Sequence, residues 1–113
     1  MAINQYRFYG TTLTTDAEQT LLTPSAAAAG AVETFIIKSF RVTNNTGNTP
    51  TITITNNSIN IVNTQTLVAN ASTEILTLPL IVESDTSIKV TISSTDSISI
   101  GISYLSIREE VTT

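Results

Sequence analysis

The chain has 113 residues, a formal net charge of −4, no Cys and no His. These totals allow a single domain, exclude disulfide staples and the Ser–His, Cys–His and Cys- or His-ligated transition-metal sites, and leave no basic stripe to displace counterions from a nucleic acid. Charged residues are 12% of the chain and hydrophobic ones 41%, against about 25% charged in an ordinary soluble domain, so neutral hydroxyls and amides must cover a surface poorly protected against self-association.

Thr, Ser, Asn and Ile dominate; β-branched side chains suit a pleated surface and disfavour helix. In chain order, residues 6–14 predict a first strand, with Gly10 an interruption that fits a bulge. Residues 15–17 turn, residues 18–23 form a short strand, and Pro24-Ser25 end it. Ala26, Ala27, Ala28, Ala29 and Gly30 follow; this run is too short for a stable helix. It reads as a small-residue loop, either plain surface or able to pack closely against a neighbouring subunit. Residues 34–43 predict a long strand whose start is apolar on both faces, at Phe35, Ile36 and Ile37. Two explanations fit: a subunit contact on one side of a core strand, or a bulge that flips the register.

The segment 44–50 (NNTGNTP) has the chemistry of a turn, and residues 51–55 alternate with Ile52 and Ile54 inward and Thr outward. Asn56-Asn57-Ser58 turn again, and two short strands are expected near residues 59–62 and 65–68. Residues 72–78 lead into Pro79, which places that element at a sheet edge or breaks it. Glu83-Ser84-Asp85 is a polar turn, and residues 86–93 are a clean strand with Ile88, Val90 and Ile92 on one face. The last strand, 97–107, alternates through Ile98, Ile100, Ile102 and Tyr104, then shifts to Leu105 and Ile107, which predicts a bulge or bend near Tyr104. Eight or more short strands without substantial helix predict an all-β fold, an antiparallel β-sandwich of jelly-roll or similar Greek-key topology. Residues 1–113 are read as one domain, with a short N-terminal arm (1–5) and a C-terminal tail (108–113).

The sequence shows no reaction centre. Glu83 with Asp85, and Glu109 with Glu110, are the close carboxylate pairs; such a pair joins backbone carbonyls around calcium in some loops, but solvated turn residues are the simpler reading. No catalytic residue, cofactor or metal is expected. Asn-x-Ser/Thr triplets at Asn44, Asn56 and Asn70 are what chance supplies in so Asn- and Thr-rich a chain. No apolar run approaches a membrane span, and MAINQYRFYG lacks the charged start and apolar core of a signal peptide. Neither membrane nor nucleic acid is an expected partner.

A wider pattern joins these segments: a turn ending in Pro24, an apolar strand closing on Val42-Thr43-Asn44, and the 51–55 strand. After a spacer come Leu78-Pro79-Leu80, Glu83-Ser84-Asp85, Ile88-Lys89-Val90, and an alternating strand ending Ser103-Tyr104-Leu105. From about Thr11 to Ile107 the chain resembles the small β-sandwich structural proteins of tailed bacteriophages. The resemblance implies a non-enzymatic virion component, assembled in the host cytoplasm. The commonest role for such a compact chain is a capsid decoration, or cement, protein: a homo-oligomer, commonly a trimer, that clamps the major capsid protein and stabilises the shell by added buried area. A neck, tail or fibre subunit that recognises a host surface or glycan has the same texture. Phe35, Ile37 and the loop residues Ala26, Ala27, Ala28 and Ala29 are the candidate subunit or capsid contacts.

Overall fold

The computed structural model describes residues 2–24, 31–76 and 78–110. Nine strands fill it: β1 (Ala2–Leu13), β2 (Gln19–Leu22), β3 (Ala31–Asn44), β4 (Thr51–Asn56), β5 (Ile59–Thr66), β6 (Ser72–Glu74), β7 (Leu80–Val82), β8 (Ile88–Ile92) and β9 (Ile98–Glu110). There is no helix among the described residues. One sheet runs β1-β9-β3-β6, with β7 also on β3, and the other runs β2-β8-β4-β5. The pairings nest: β4–β5 is the inner hairpin, β3 with β6 and β7 wraps it, then β2–β8, then β1–β9, all antiparallel. Successive wraps fall in alternate sheets, which is a hairpin rolled into a jelly roll. The expected all-β sandwich is therefore present, with this particular topology.

Alternation decides which residues meet between the sheets. Ile52 and Ile54 from β4, Ile88, Val90 and Ile92 from β8, and Ile98, Ile100 and Ile102 from β9 are buried in one core. Pro79 lies in the break between β6 and β7, both short edge elements beside β3. The β4–β5 turn is Asn57-Ser58 with φ of 52° and 64°, the positive pair that a two-residue hairpin turn requires. The two strands expected near 59–62 and 65–68 are one strand, β5, whose pairing with β4 is twice irregular.

The doubly apolar start of β3 is resolved by a bulge. Phe35 and Ile37 face the core, the register on β9 shifts between Ile37 and Ser39, and Phe40 and Val42 then face the core on the other parity. Two other sequence expectations differ from the structure. β9 has no bulge near Tyr104: its pairing with β1 is unbroken from Leu13↔Ile98 to Ala2↔Glu109, and even-numbered residues stay buried through Ser106. The apolar shift to Leu105 and Ile107 is a second, outward apolar face. Gly10 is likewise no bulge, since it pairs directly with Gly101 in that ladder.

β1, β3 and β9 have 12, 14 and 13 residues, whereas the opposite sheet's strands have four to eight. At about 3.3 Å per residue the long strands account for the molecule's 54 × 22 × 20 Å extents. The segments read as an arm and a tail are part of this: residues 2–5 pair with 106–109 of β9, and 108–110 pair with 31–33 of β3.

Candidate functional site

Directly opposed residues in a sheet share a face, so the ladder registers map the outward face of the five-stranded sheet. One row runs Tyr6, Leu105, Ile36, Ile81 across β1, β9, β3 and β7. Tyr6 is 79% exposed and Ile81 57% exposed; Leu105 and Ile36 are half-buried between them. At the β7 seam, Ile81 lines a cleft with Ile59 and Ile61 of the other sheet, both exposed. The Asn56 side-chain amide donates to the Ile81 carbonyl at 3.0 Å and fixes that seam. The result is a six-residue apolar belt across one face and around an edge.

The other half of the same face is hydroxylic. Thr12, Ser99, Thr43 and Ser72 form one row, with Thr12 and Ser99 hydroxyls 3.1 Å apart and Thr43 and Ser72 hydroxyls 2.7 Å apart. Next to it lies the row Gly10, Gly101, Arg41, Glu74. Phe8 stands at the border between the halves and is 70% exposed. A Cβ on Gly10 would come within 2.9 Å of Phe8 Cε2, and one on Gly101 within 3.1 Å of Phe8 Cε1. The two glycines are thus the seat of the ring. A cleft of about 360 Å³ opens beside it, with Phe8, Gly101, Arg41 and Ser103 among its walls.

The Glu74 carboxylate is not free to pair with Arg41 opposite it. It accepts the Phe40 amide at 2.7 Å and the Ser39 hydroxyl, which ties off the backbone where β3 bulges. No hydrogen bond or ion pair holds the Arg41 side chain among the described residues. An ion pair on the other sheet, Lys89–Glu18 at 3.9 Å with both side chains largely exposed, belongs to a class worth little.

The residues singled out from sequence fall elsewhere. Phe35 and Ile37 are 6% and 0% exposed, with the Phe35 ring centroid 4.7 Å from that of Tyr104. Both are used inside the chain, and neither is presented as a surface contact. Ala26, Ala27, Ala28 and Ala29 lie outside the described residues. Glu83 and Asp85 occupy a turn in which Thr86 bonds the Glu83 carbonyl, and no group of three or more acidic side chains is gathered as for a metal among the described residues. Tyr6 and Phe8 were not among the residues singled out from sequence. The available signal was parity: Tyr6, Phe8 and Gly10 share one side of their strand, and Leu13 takes the other.

No family model matches the chain, and no curated protein matches it. Among solved structures, an endospore-appendage pilus protein of Bacillus aligns at 8% identity and a TM-score of 0.44, over 98% of this chain and 89% of that one. A family 35 carbohydrate-binding module from Clostridium thermocellum aligns at 15% identity and a TM-score of 0.39, over 95% of this chain and 97% of its own. Both are small β-rich proteins, and neither likeness bears on a bacteriophage origin.

Proposed function

We propose that the protein is a non-catalytic structural subunit of a virion, of the capsid-decoration type, which docks through the apolar belt. The observation that carries the docking role is the belt itself: Tyr6, Leu105, Ile36 and Ile81 side by side, continued by Ile59 and Ile61. Burying a large apolar side chain stabilises by about 1.5–3 kcal/mol, so even three of these side chains supply the core of an interface. The low charge of the chain lowers the desolvation cost of covering such a face. The virion assignment is supported by the sequence resemblance, and a trimer bound to the major capsid protein is the arrangement it favours.

Light scattering of the purified chain and co-sedimentation with expanded capsid shells test the proposal together. The expected result is an oligomer heavier than 12.1 kDa, or binding to shells, with Ile81→Lys abolishing the association while the far-ultraviolet spectrum is unchanged. A monomer without affinity for shells would sink it.

A second reading, a tail or fibre subunit that recognises a host surface, is favoured by one observation. Two of the chain's six Tyr and Phe side chains, Tyr6 and Phe8, are largely exposed on one face. Binding of the purified protein to host cells, with none to shells, selects this reading.

A further inference from the structure

The Phe8 cleft has a chemistry that the apolar belt lacks. Its aromatic wall is fixed from below, because the distal edge of the ring rests over Gly10 and Gly101. The floor beyond the ring is small: Gly101, with Ser99 and Ser103 on either side along β9. A ligand can therefore approach the backbone closely. The opposite wall is Arg41, whose guanidinium carries five donors and has no partner among the described residues. The Ser103 hydroxyl is also without a hydrogen bond among the described residues. By contrast Ser39 donates to Glu74, Thr43 shares a bond with Ser72, and Ser99 with Thr12. Two polar groups are thus left open beside an open aromatic ring, in a frame of polar groups already tied down.

That combination selects a ligand class. A purely apolar ligand would strand the Arg41 guanidinium and the hydroxyls. A nucleic-acid strand needs a run of cations along its phosphates, and the cleft holds Arg41 alone. A pyranose ring satisfies both sides: its C–H face packs on an aromatic ring, and its equatorial oxygens take hydrogen bonds from a guanidinium and hydroxyls. The volume of about 360 Å³ lies at the small end of ligand sites, which suits one or two sugar rings at a chain's surface.

We infer that the cleft between Phe8 and Arg41 is a saccharide-binding site, with Phe8 under the C–H face of a pyranose and Arg41 donating to its hydroxyl or carboxylate oxygens. This deepens the host-surface reading and is independent of docking through the belt.

The test is a titration of the 113-residue chain, followed by amide chemical shifts, with cellohexaose, chitohexaose and oligogalacturonate. These present equatorial hydroxyls, N-acetyl groups and carboxylates respectively. At least one is expected to bind at millimolar concentration or tighter, with shifts centred on Gly10, Arg41, Gly101 and Ser103. Phe8→Ala and Arg41→Ala each weaken binding by about tenfold or more, and Gly101→Ala, which pushes the ring off its seat, does the same. Lys89→Ala, on β8 of the other sheet, leaves affinity unchanged. Preference for oligogalacturonate assigns the Arg41 contact to a carboxylate; equal binding of the neutral sugars assigns it to hydroxyls. Absence of shifts with all three sugars, or binding indifferent to Phe8→Ala and Arg41→Ala, overturns the inference. Shell binding with no sugar binding leaves the docking role standing, so the two failures are separable.

Discussion

Asn44 shows how one polar residue sets a whole loop. It is 1% exposed at the end of β3, yet its amide donates to the Asn48 carbonyl at 2.7 Å, and its oxygen accepts the Thr46 amide and hydroxyl at 3.0 and 2.8 Å. Burial is tolerated because the side chain is satisfied. The organised loop then aims Asn48 at Asp96, which accepts its amide at 2.8 Å and the Ser94 hydroxyl at 2.6 Å. These bonds, Ser94 first and then Asn48, hold the Asp96 carboxyl below the usual carboxylate value. A group with a lowered folded pKa binds fewer protons when folded. Its contribution to stability is therefore complete above the ordinary aspartate range and is lost as pH falls through the lowered value. Thermal melts from neutral to strongly acid pH should show Tm falling more steeply in the parent chain than in Asp96→Asn. Parallel curves would show that folding does not lower the Asp96 pKa.

At the scale of elements, the bulge in β3 decides the core and Glu74 holds the bulge. Moving the register by one residue carries Phe40 and Val42 inward after Phe35 and Ile37; without the shift one pair would face solvent. The strand leaves the Phe40 amide for Glu74 to accept, while the Phe40 carbonyl takes the Ile75 amide at 2.8 Å. Glu74→Ala is expected to cost about 1.5–3 kcal/mol, the range for hydrogen bonds to a charged group, with Glu74→Gln costing less. The check is a lower denaturant midpoint at unchanged m-value; an unaltered midpoint would mean that solvent satisfies Phe40 equally well. Much of this scale was legible in the sequence: the inward Ile residues of β4, β8 and β9, the Asn57-Ser58 turn, and the interruption at Pro79. What alternation does not encode is what lies against each face. The Phe35–Ile37 excess was compatible with an outer partner or a bulge, and only the ladder with β9 distinguishes them. The shift to Leu105 and Ile107 looked like the mark of a bulge and is instead an outward apolar face, with Leu105 in the apolar belt. Phe8 was hidden for the same reason, because its seat joins Gly10 to Gly101, 91 positions apart in the chain.

The nesting of the roll orders the molecule as a whole. β4 and β5 are joined by a two-residue turn, whereas β1 and β9 pair the two ends of the chain, Ala2 with Glu109. Loop-closure entropy must be overcome before distant contacts stabilise anything, so folds dominated by distant pairings fold in milliseconds to seconds. The inner hairpin with β8 across it is the cheapest nucleus, and the β1–β9 wrap forms late. Stopped-flow refolding then separates two core substitutions. Ile54→Val, in the inner strand, should slow folding and leave unfolding nearly unchanged. Leu13→Ala, on β1 against Ile98, should speed unfolding and leave folding nearly unchanged. Each must change stability by more than about 0.6 kcal/mol for the comparison to hold, and losses of about 0.5–1.5 and 2–5 kcal/mol are usual for such truncations in a packed core. The reverse pattern would place the chain ends in the nucleus. A late β1 also links folding to the two proposed roles, since Tyr6 and Phe8 both ride on it. Leu13→Ala should then loosen the belt and the Phe8 cleft before the rest of the roll, and hydrogen exchange of the β1 amides should rise ahead of those of β4 and β8.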